Sequence, residues 1–117
     1  RVRKVLGGGM RQAGIVASAG TYAIEHHLDR LAEDHSRALA LGEAALQHPS
    51  VKSHAPIDTN IVIIELEDGV DAAGQVEVWA KKGIKCFPFS RTSIRFVTHL
   101  DITDAEVEEA CRILKTN

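Results

Sequence analysis

The segment at residues 60–66 ("NIVIIEL") most constrains the fold, because it contains four consecutive β-branched residues. Such side chains lose rotamer freedom in a helix and pack well on a pleated surface. A run that is apolar on both faces is typical of a strand that is covered on both sides or central in a sheet. The sequence therefore predicts a sheet built around this segment.

Three other segments are typical of strands: "VKSH", "IKCFPF" and "SIRFVTH". Pro88 in the second of them indicates an edge strand or a bulge, since proline cannot donate to a sheet ladder. Alternation along the third places Ile94 and Phe96 on one face and Ser93, Arg95 and Val97 on the other. If the apolar face meets the helices, Arg95 lies on the opposite side of the sheet.

A proline-free stretch of almost forty residues precedes the strands and ends at His48-Pro49. Its apolar residues recur at intervals of three and four, which predicts one long helix or two helices with a bend. The stripe comprises Ile15, Ala19, Tyr22, Leu28, Leu31, Ala38, Leu41 and Ala45. The charged residues off this stripe are expected on the solvated face: Asp29, Arg30, Glu33, Asp34 and Arg37.

Two more helices have recognisable ends. Asp71 is the expected N-cap of a helix that Gly83 closes. Thr103 and Glu106 form a capping-box pattern at the start of a terminal helix. The inner face of that helix is expected to carry Val107, Ala110, Cys111 and Leu114. The element order α–β–β–α–β–β–α predicts an α/β sandwich with helices packed on one face of a mostly antiparallel sheet.

The composition is that of an ordinary globular domain, with 44% hydrophobic and 26% charged residues in 117. A net charge of −2 gives no reason to expect nucleic acid or an anionic membrane as a partner. The sequence shows no membrane-spanning run and no signal-peptide pattern. Cys86 and Cys111 are expected as reduced thiols, which favours a cytoplasmic or organelle-matrix location.

The sequence has no standard metal-binding or nucleophile motif. His26 and His27 are adjacent and would point about 100° apart on a helix, and no H-E-x-x-H, C-x-x-C or G-x-S-x-G pattern occurs. We therefore expect no metal site. Cys111, on the inner face of a helix, is expected as a buried inert thiol.

The stretch "RKVLGGGMRQAG" places three glycines between basic residues and a helix start, with Arg11 in the first turn. Counting G-x-G-x-x-G from Gly7 puts Gln12 where the last glycine belongs, so the dinucleotide template fails. The alternatives are an anion site at a helix N-terminus, a hinge, or a close backbone approach. Arg95 also has more than one interpretation: a planar fork for a carboxylate, or else a surface arginine or a member of an ion pair.

Four blocks in order, "RKVLGGGMRQAG", "LAEDH", "TNIVIIEL" and "IRFVTH", closely resemble the C-terminal part of low-specificity L-threonine aldolases. The resemblance implies the fold-type I architecture of pyridoxal-phosphate enzymes. Residues 1–14 would then be a connecting segment from a cofactor-binding domain, and residues 15–117 the small C-terminal α/β domain. The implied reaction is cleavage of L-threonine or allo-threonine to glycine and acetaldehyde.

The resemblance also implies roles for individual residues. An arginine at the position of Arg95 would bind the substrate α-carboxylate. Arg3, Lys4 and Arg11 match a segment near the active site at a subunit interface, where Lys4 or Arg3 would approach the cofactor phosphate of a neighbouring subunit. Arg11 would be a third cofactor-binding residue or, alternatively, an intrachain partner at the helix start. The implied partners are the N-terminal part of the same enzyme, an amino-acid substrate and further copies in a homotetramer, a dimer of dimers.

The Schiff-base lysine of the family lies upstream of the glycine run, in a segment that this sequence lacks. The histidine that stacks on the cofactor and the aspartate that pairs with its ring nitrogen are also missing. The chain is therefore expected to be a fragment that contains no catalytic residue and is inactive alone. The alternatives are a related fold-type I β-eliminating lyase and a non-catalytic α/β module that binds a carboxylate or a protein partner.

Overall fold

The computed structural model describes residues 1–116; Asn117, the last residue of the predicted 15–117 domain, lies outside them. The chain divides into two compact units, Arg1–Arg30 and Leu31–Asn117. The predicted boundary between residues 14 and 15 concerns the domains of a larger enzyme and stays a prediction.

The first unit contains two helices and the second contains three helices and one sheet. The helices are α1 (Val2–Val5), α2 (Gly14–His27), α3 (Leu31–Ala45), α4 (Ala72–Lys81) and α5 (Asp104–Leu114). The strands are β1 (Val51–His54), β2 (Ile61–Leu66), β3 (Phe87–Pro88) and β4 (Ser93–Val97). Of the two alternatives for the stretch before the sheet, one long helix or two helices, the structure has two, and the short helix α1 was not predicted.

The sheet has the order β1-β2-β4-β3, and every neighbouring pair is antiparallel. The β-branched run forms β2, an interior strand, as its sequence predicts. Pro88 lies in β3, which is an edge strand of two residues, so the proline needs no ladder partner for its nitrogen. The predicted α/β class with an antiparallel sheet is confirmed.

The core lies between the helices and one face of the sheet. Val62, Ile64, Ile94 and Phe96 are at most 4% exposed, and the rings of Phe96 and Trp79 of α4 have centroids 5.7 Å apart. Gly42 of α3 packs beside the loop between β1 and β2, and a Cβ there would overlap the terminal methyl group of Ile57 while making an ordinary 3.5 Å contact with Val62 of the sheet. A larger residue at Gly42 would therefore require the Ile57 side chain to move.

The predicted solvated face of α3 is wrong at two positions. Asp34 is 2% exposed, and Arg37 is largely buried. The Arg37 guanidinium lies 2.7 Å from Asp104 at the start of α5 and 3.7 Å from Asp34. The hydroxyl of buried Thr98 donates to the Asp34 carbonyl at 2.7 Å. These polar side chains connect α3 to α5 and to the end of β4, which the periodicity of one helix does not reveal.

None of the helices in residues 1–116 combines the length and hydrophobicity that crossing a lipid bilayer requires. Cys86 and Cys111 are both free thiols. Burial raises the pKa of Cys86 to about 11 and also raises that of Cys111, whose Sγ lies 3.6 Å from the Ala40 carbonyl. Cys111 is half-buried, not fully buried as expected, and neither thiol has the lowered pKa of a nucleophile.

Candidate functional site

The uncovered face of the sheet carries the most informative polar side chain, Arg95 in β4. The antiparallel register places Ile63 of β2 opposite Arg95 on one side and Phe87 of β3 opposite it on the other. Because side chains alternate along a strand, Arg95 lies on the face opposite buried Ile94 and Phe96. The predicted side of the sheet for Arg95 is confirmed.

Arg95 is half-buried, and its side chain has no polar partner among residues 1–116. Its Nε is buried and has no hydrogen-bond partner within residues 1–116. Its guanidinium carbon lies 5.6 Å from the centroid of the Phe87 ring. A buried guanidinium nitrogen without an acceptor costs free energy, typically about 1–3 kcal/mol or more for a charged group. The interpretation of Arg95 as part of an ion pair therefore has no support in the described chain, and the terminal guanidinium nitrogens, which also form no hydrogen bond within residues 1–116, are the groups that a carboxylate ligand would pair with.

The surroundings of Arg95 are mainly apolar. Ile61 and Val97 form the next row on this face and are 40% and 39% exposed, while Phe87 is 57% exposed. Ser93, on the same face as Arg95, is buried, and its hydroxyl lies 2.6 Å from that of Ser90. The site is thus a cationic fork on an apolar surface, a combination that suits the carboxylate of a small organic ligand.

The structure explains two glycines of the basic segment, the stretch "RKVLGGGMRQAG" at residues 3–14. The Gly8 amide donates to the Arg3 carbonyl at 2.7 Å and the Gly7 amide to the Lys4 carbonyl at 3.1 Å. Gly7 has φ +81°, and a Cβ on Gly8 would lie 3.0 Å from the Arg3 carbonyl oxygen. This is the Schellman arrangement that ends α1. Of the three alternatives for the glycine run, an anion site, a hinge or a close backbone approach, the structure favours the close backbone approach at Gly7 and Gly8. No contact within residues 1–116 and no backbone angle requires glycine at Gly9.

Arg3 and Lys4 lie on α1, and both are exposed. Arg11 is also exposed, but the prediction that it belongs to the first turn of a helix is wrong. Helix α2 begins at Gly14 with Ala13 as N-cap, and Gln12 before it has φ +49°. A residue with positive φ interrupts helical geometry, so Arg11 precedes the helix. Arg3, Lys4 and Arg11 belong to the first unit and Arg95 to the second.

Two other kinds of site receive no support. A groove of about 680 Å³ in the second unit is lined by Phe96 of the helix-covered face and by Lys82, Lys85 and His99, and it contains none of the predicted site residues. Within residues 1–116, no three histidine, cysteine or acidic side chains lie together as potential metal ligands. His26, one of the two adjacent histidines considered as metal ligands, has its ring stacked on that of Tyr22, with centroids 4.1 Å apart.

Sequence reasoning missed Phe87 as a neighbour of Arg95. The signal that could have found it is the alternation in "CFPF", which puts Phe87 and Phe89 on one face if the strand pairs with "SIRFV". The register of that pairing depends on the turn between the strands, where the Phe89 and Ser90 amides both donate to the Ser93 carbonyl.

Comparison with known proteins gives this geometry a family context. The low-specificity L-threonine aldolase 1 of Arabidopsis thaliana is 34% identical over 109 residues, which are 91% of this chain and 30% of that protein. The low specificity L-threonine aldolase of Escherichia coli K12 is 34% identical over 110 residues, 93% of this chain and 31% of that protein. A probable low-specificity L-threonine aldolase of Schizosaccharomyces pombe is 30% identical over 113 residues, 97% and 28% of the two chains. The chain thus spans about 30% of the length of the curated relatives it matches.

A family model described as beta-eliminating lyase matches residues 1–68, which include the glycine run, both long helices of the first half and β2. This match covers more than half of the 117 residues. The chain therefore belongs to the beta-eliminating lyase family, whose members are fold-type I enzymes that in general depend on pyridoxal phosphate.

Proposed function

We propose that this chain is the C-terminal part of a pyridoxal-phosphate-dependent aldolase that cleaves L-threonine or allo-threonine to glycine and acetaldehyde. The relatives that carry this activity in their names align along more than nine-tenths of the chain. The observation that carries the proposal is Arg95, a half-buried arginine whose Nε has no acceptor within residues 1–116.

Arg95 binds the α-carboxylate of the substrate. A guanidinium presents two parallel N–H groups to a carboxylate, and such a bidentate pair fixes the orientation of the amino acid as well as its position. Fixing the amino acid in this way orients the Cα–Cβ bond that breaks. Arg95 acts by binding and orienting and transfers no proton. Ile61 and Val97, the next row on this face, give the guanidinium an apolar border.

The basic segment suits a phosphate group by the chemistry of its donors. Arg3, Lys4 and Arg11 are exposed cations, and none of them forms an ion pair with another residue of the described chain. Arg3 or Lys4 would hold the cofactor phosphate of a neighbouring subunit, and Arg11 is the third candidate. Pyridoxal phosphate, when bound, supplies an electron sink for the electrons of the broken Cα–Cβ bond.

The remaining parts of the active site belong to the rest of the enzyme, which is the first partner of this chain. It supplies the lysine that holds the cofactor, so the chain alone is inactive. We place the complete enzyme in the cytoplasm as a homotetramer, with the 1–14 segment at a subunit interface.

A second candidate is β-elimination, which the description of the matched family favours. The same arginine would bind the same carboxylate, but the bond broken would be Cβ–O. Threonine then gives 2-oxobutanoate and ammonia in place of glycine and acetaldehyde. Product analysis of the complete enzyme distinguishes the two reactions.

The test is the Arg95→Ala substitution in the complete enzyme that contains this chain. Hydrogen bonds to charged groups contribute about 1.5–3 kcal/mol, so the KM for L-threonine should rise roughly 10- to 100-fold. Arg91→Ala is the matched control, because Arg91 lies exposed in the turn between β3 and β4. An unchanged KM in Arg95→Ala would overturn the carboxylate role.

A further inference from the structure

Within residues 1–116, the aromatic ring of Phe87 faces the guanidinium of Arg95. The two residues are directly opposed in the antiparallel pair of β3 and β4. The guanidinium carbon lies 5.6 Å from the ring centroid, within the range of a cation–π contact. Phe87 is 57% exposed, so hydrophobic burial within residues 31–116 does not explain an aromatic side chain here.

Arg95 needs something to hold it, because its side chain is long and carries about 2 kcal/mol of rotamer entropy. Its Nε has no hydrogen-bond partner in the described residues, and no carboxylate there forms an ion pair with it. Its neighbours across the ladder are Ile63 and Phe87, and only the second has a π-face that attracts a cation. The Phe87 ring is therefore the group that can fix the guanidinium before a ligand binds.

The backbone around Phe87 is itself well fixed. Pro88, opposite Ile94 in the ladder, has a restricted φ, and the Phe89 amide donates to the Ser93 carbonyl at 2.9 Å. Phe89 is 55% exposed, close to the value for Phe87, but within residues 1–116 the cation–π contact of Arg95 is with the Phe87 ring and not with that of Phe89. The two phenylalanines of "FPF" thus differ in their relation to the arginine.

We propose that Phe87 is a positioning residue that holds the Arg95 guanidinium against its ring and leaves the terminal N–H groups of the fork free for the substrate carboxylate. This inference rests on the proposed function of Arg95. Preorganising the fork reduces the entropy lost when the carboxylate binds. Phe87 therefore contributes to amino-acid affinity without a polar group of its own.

The experiment compares Phe87→Leu, Phe87→Trp and Phe89→Leu in the complete enzyme. A leucine keeps an apolar side chain but has no π-face, so the KM for L-threonine should rise about three- to tenfold with little change in kcat. Tryptophan binds cations best among the aromatic residues, so Phe87→Trp should keep the KM close to that of the unsubstituted enzyme. Phe89→Leu, the matched control, should leave both constants unchanged.

A second readout isolates the carboxylate. L-Threoninamide has no carboxylate for Arg95 to bind, so Phe87→Leu should leave its kcat/KM unchanged. In the double variant with Arg95→Ala, the loss of Phe87 should add no further increase in the KM for threonine. Additive effects, or equal losses in Phe87→Leu and Phe87→Trp, would overturn the positioning role.

The two proposals fail in different ways. If Arg95→Ala leaves the KM for threonine unchanged, the carboxylate role of Arg95 is wrong, and the role of Phe87 falls with it. If Arg95→Ala raises the KM and Phe87→Leu does not, Arg95 keeps its role and only the positioning by Phe87 is wrong.

Discussion

At the scale of a single residue, His48 combines burial with a hydrogen bond that needs its neutral form. Its side chain is 6% exposed, and its ring packs edge-on against Trp79 with centroids 5.3 Å apart. The Ser50 amide donates to Nδ1 at 3.2 Å, which requires that this nitrogen carry no proton. Burial, and next the charge of Lys82, lower the pKa of His48. Protonation therefore opposes the folded state.

We expect the second unit to lose stability as the pH falls below about 6.5, the ordinary pKa of histidine. The unfolded chain binds the His48 proton at a higher pH than the folded chain does. The free energy of unfolding therefore rises with pH between the lowered pKa of His48 in the folded chain and its ordinary pKa in the unfolded chain. His48→Gln keeps an acceptor but cannot titrate, and should make this dependence shallower. Urea unfolding at several values between pH 5 and pH 7.5 measures it.

His35→Gln is the matched control, because His35 is exposed on α3. This variant should keep the pH dependence of the unsubstituted chain. An unfolding free energy whose pH dependence is identical with and without His48 would contradict the prediction.

At the scale of elements, the helix ends in this chain follow local rules. The Asp71 side chain accepts from the Gly74 amide at 3.1 Å to cap α4. Thr103 and Glu106 form a capping box at α5, and the hydrogen bond from the Thr103 amide is the main cause that lowers the pKa of Glu106. Gly83 has φ +96° and ends α4, with the Ile84 amide donating to the Trp79 carbonyl at 3.0 Å. All of these ends were predicted.

Features that depend on two distant elements were not predictable in the same way. The contact of Arg37 with Asp104 joins residues 67 positions apart, so the stripe of α3 could not show that Arg37 is largely buried. The pairing of Phe87 with Arg95 depends on a strand register that composition does not encode. The side of the sheet for Arg95 was predictable, because alternation along one strand is a local property.

Two glycines associated with α4 should respond in opposite directions to alanine. Gly83→Ala forces a side chain into a left-handed conformation and should lower the free energy of unfolding by about 1–2 kcal/mol. Gly74→Ala should raise it by about 0.5–1 kcal/mol, since Gly74 lies within the helix and its Cβ would lie 3.8 Å from an Asp71 oxygen, an ordinary contact. Equilibrium unfolding in urea measures both, and changes of the same sign would contradict the assignment of Gly83 as a helix terminator.

At the scale of the whole molecule, the two units differ in what stabilises them. Every residue of the hydrophobic core lies in the unit Leu31–Asn117. No residue of the first unit is buried, and its large apolar side chains are exposed, among them Val5 at 79%, Leu6 at 80% and Ile15 at 82%. Fully burying one such side chain contributes about 1.5–3 kcal/mol. This unit therefore gains stability when another surface covers it, and we assign that surface to the rest of the enzyme.

Hydrogen exchange tests this assignment element by element. Helix α2 has 14 residues, and an isolated helix of that length is marginally stable in water. In the chain alone, the amides of Gly14–His27 should exchange almost as fast as those of an unfolded peptide, whereas the amides of β2 should be strongly protected. In the complete enzyme, the α2 amides should exchange at least about 100-fold more slowly, since covering several of the exposed apolar side chains of the helix stabilises it by several kcal/mol.

The matched comparison is a fragment of residues 31–117, which keeps the whole core. This fragment should fold, and its β2 amides should keep the protection that they have in the full chain, because β2 and every residue of the core lie within it. Protection of Gly14–His27 that is equal in the chain alone and in the complete enzyme would show that α2 needs no partner. The rest of the enzyme would then have to meet this chain at another surface, and the uncovered face around Arg95 would be the first place to look for it.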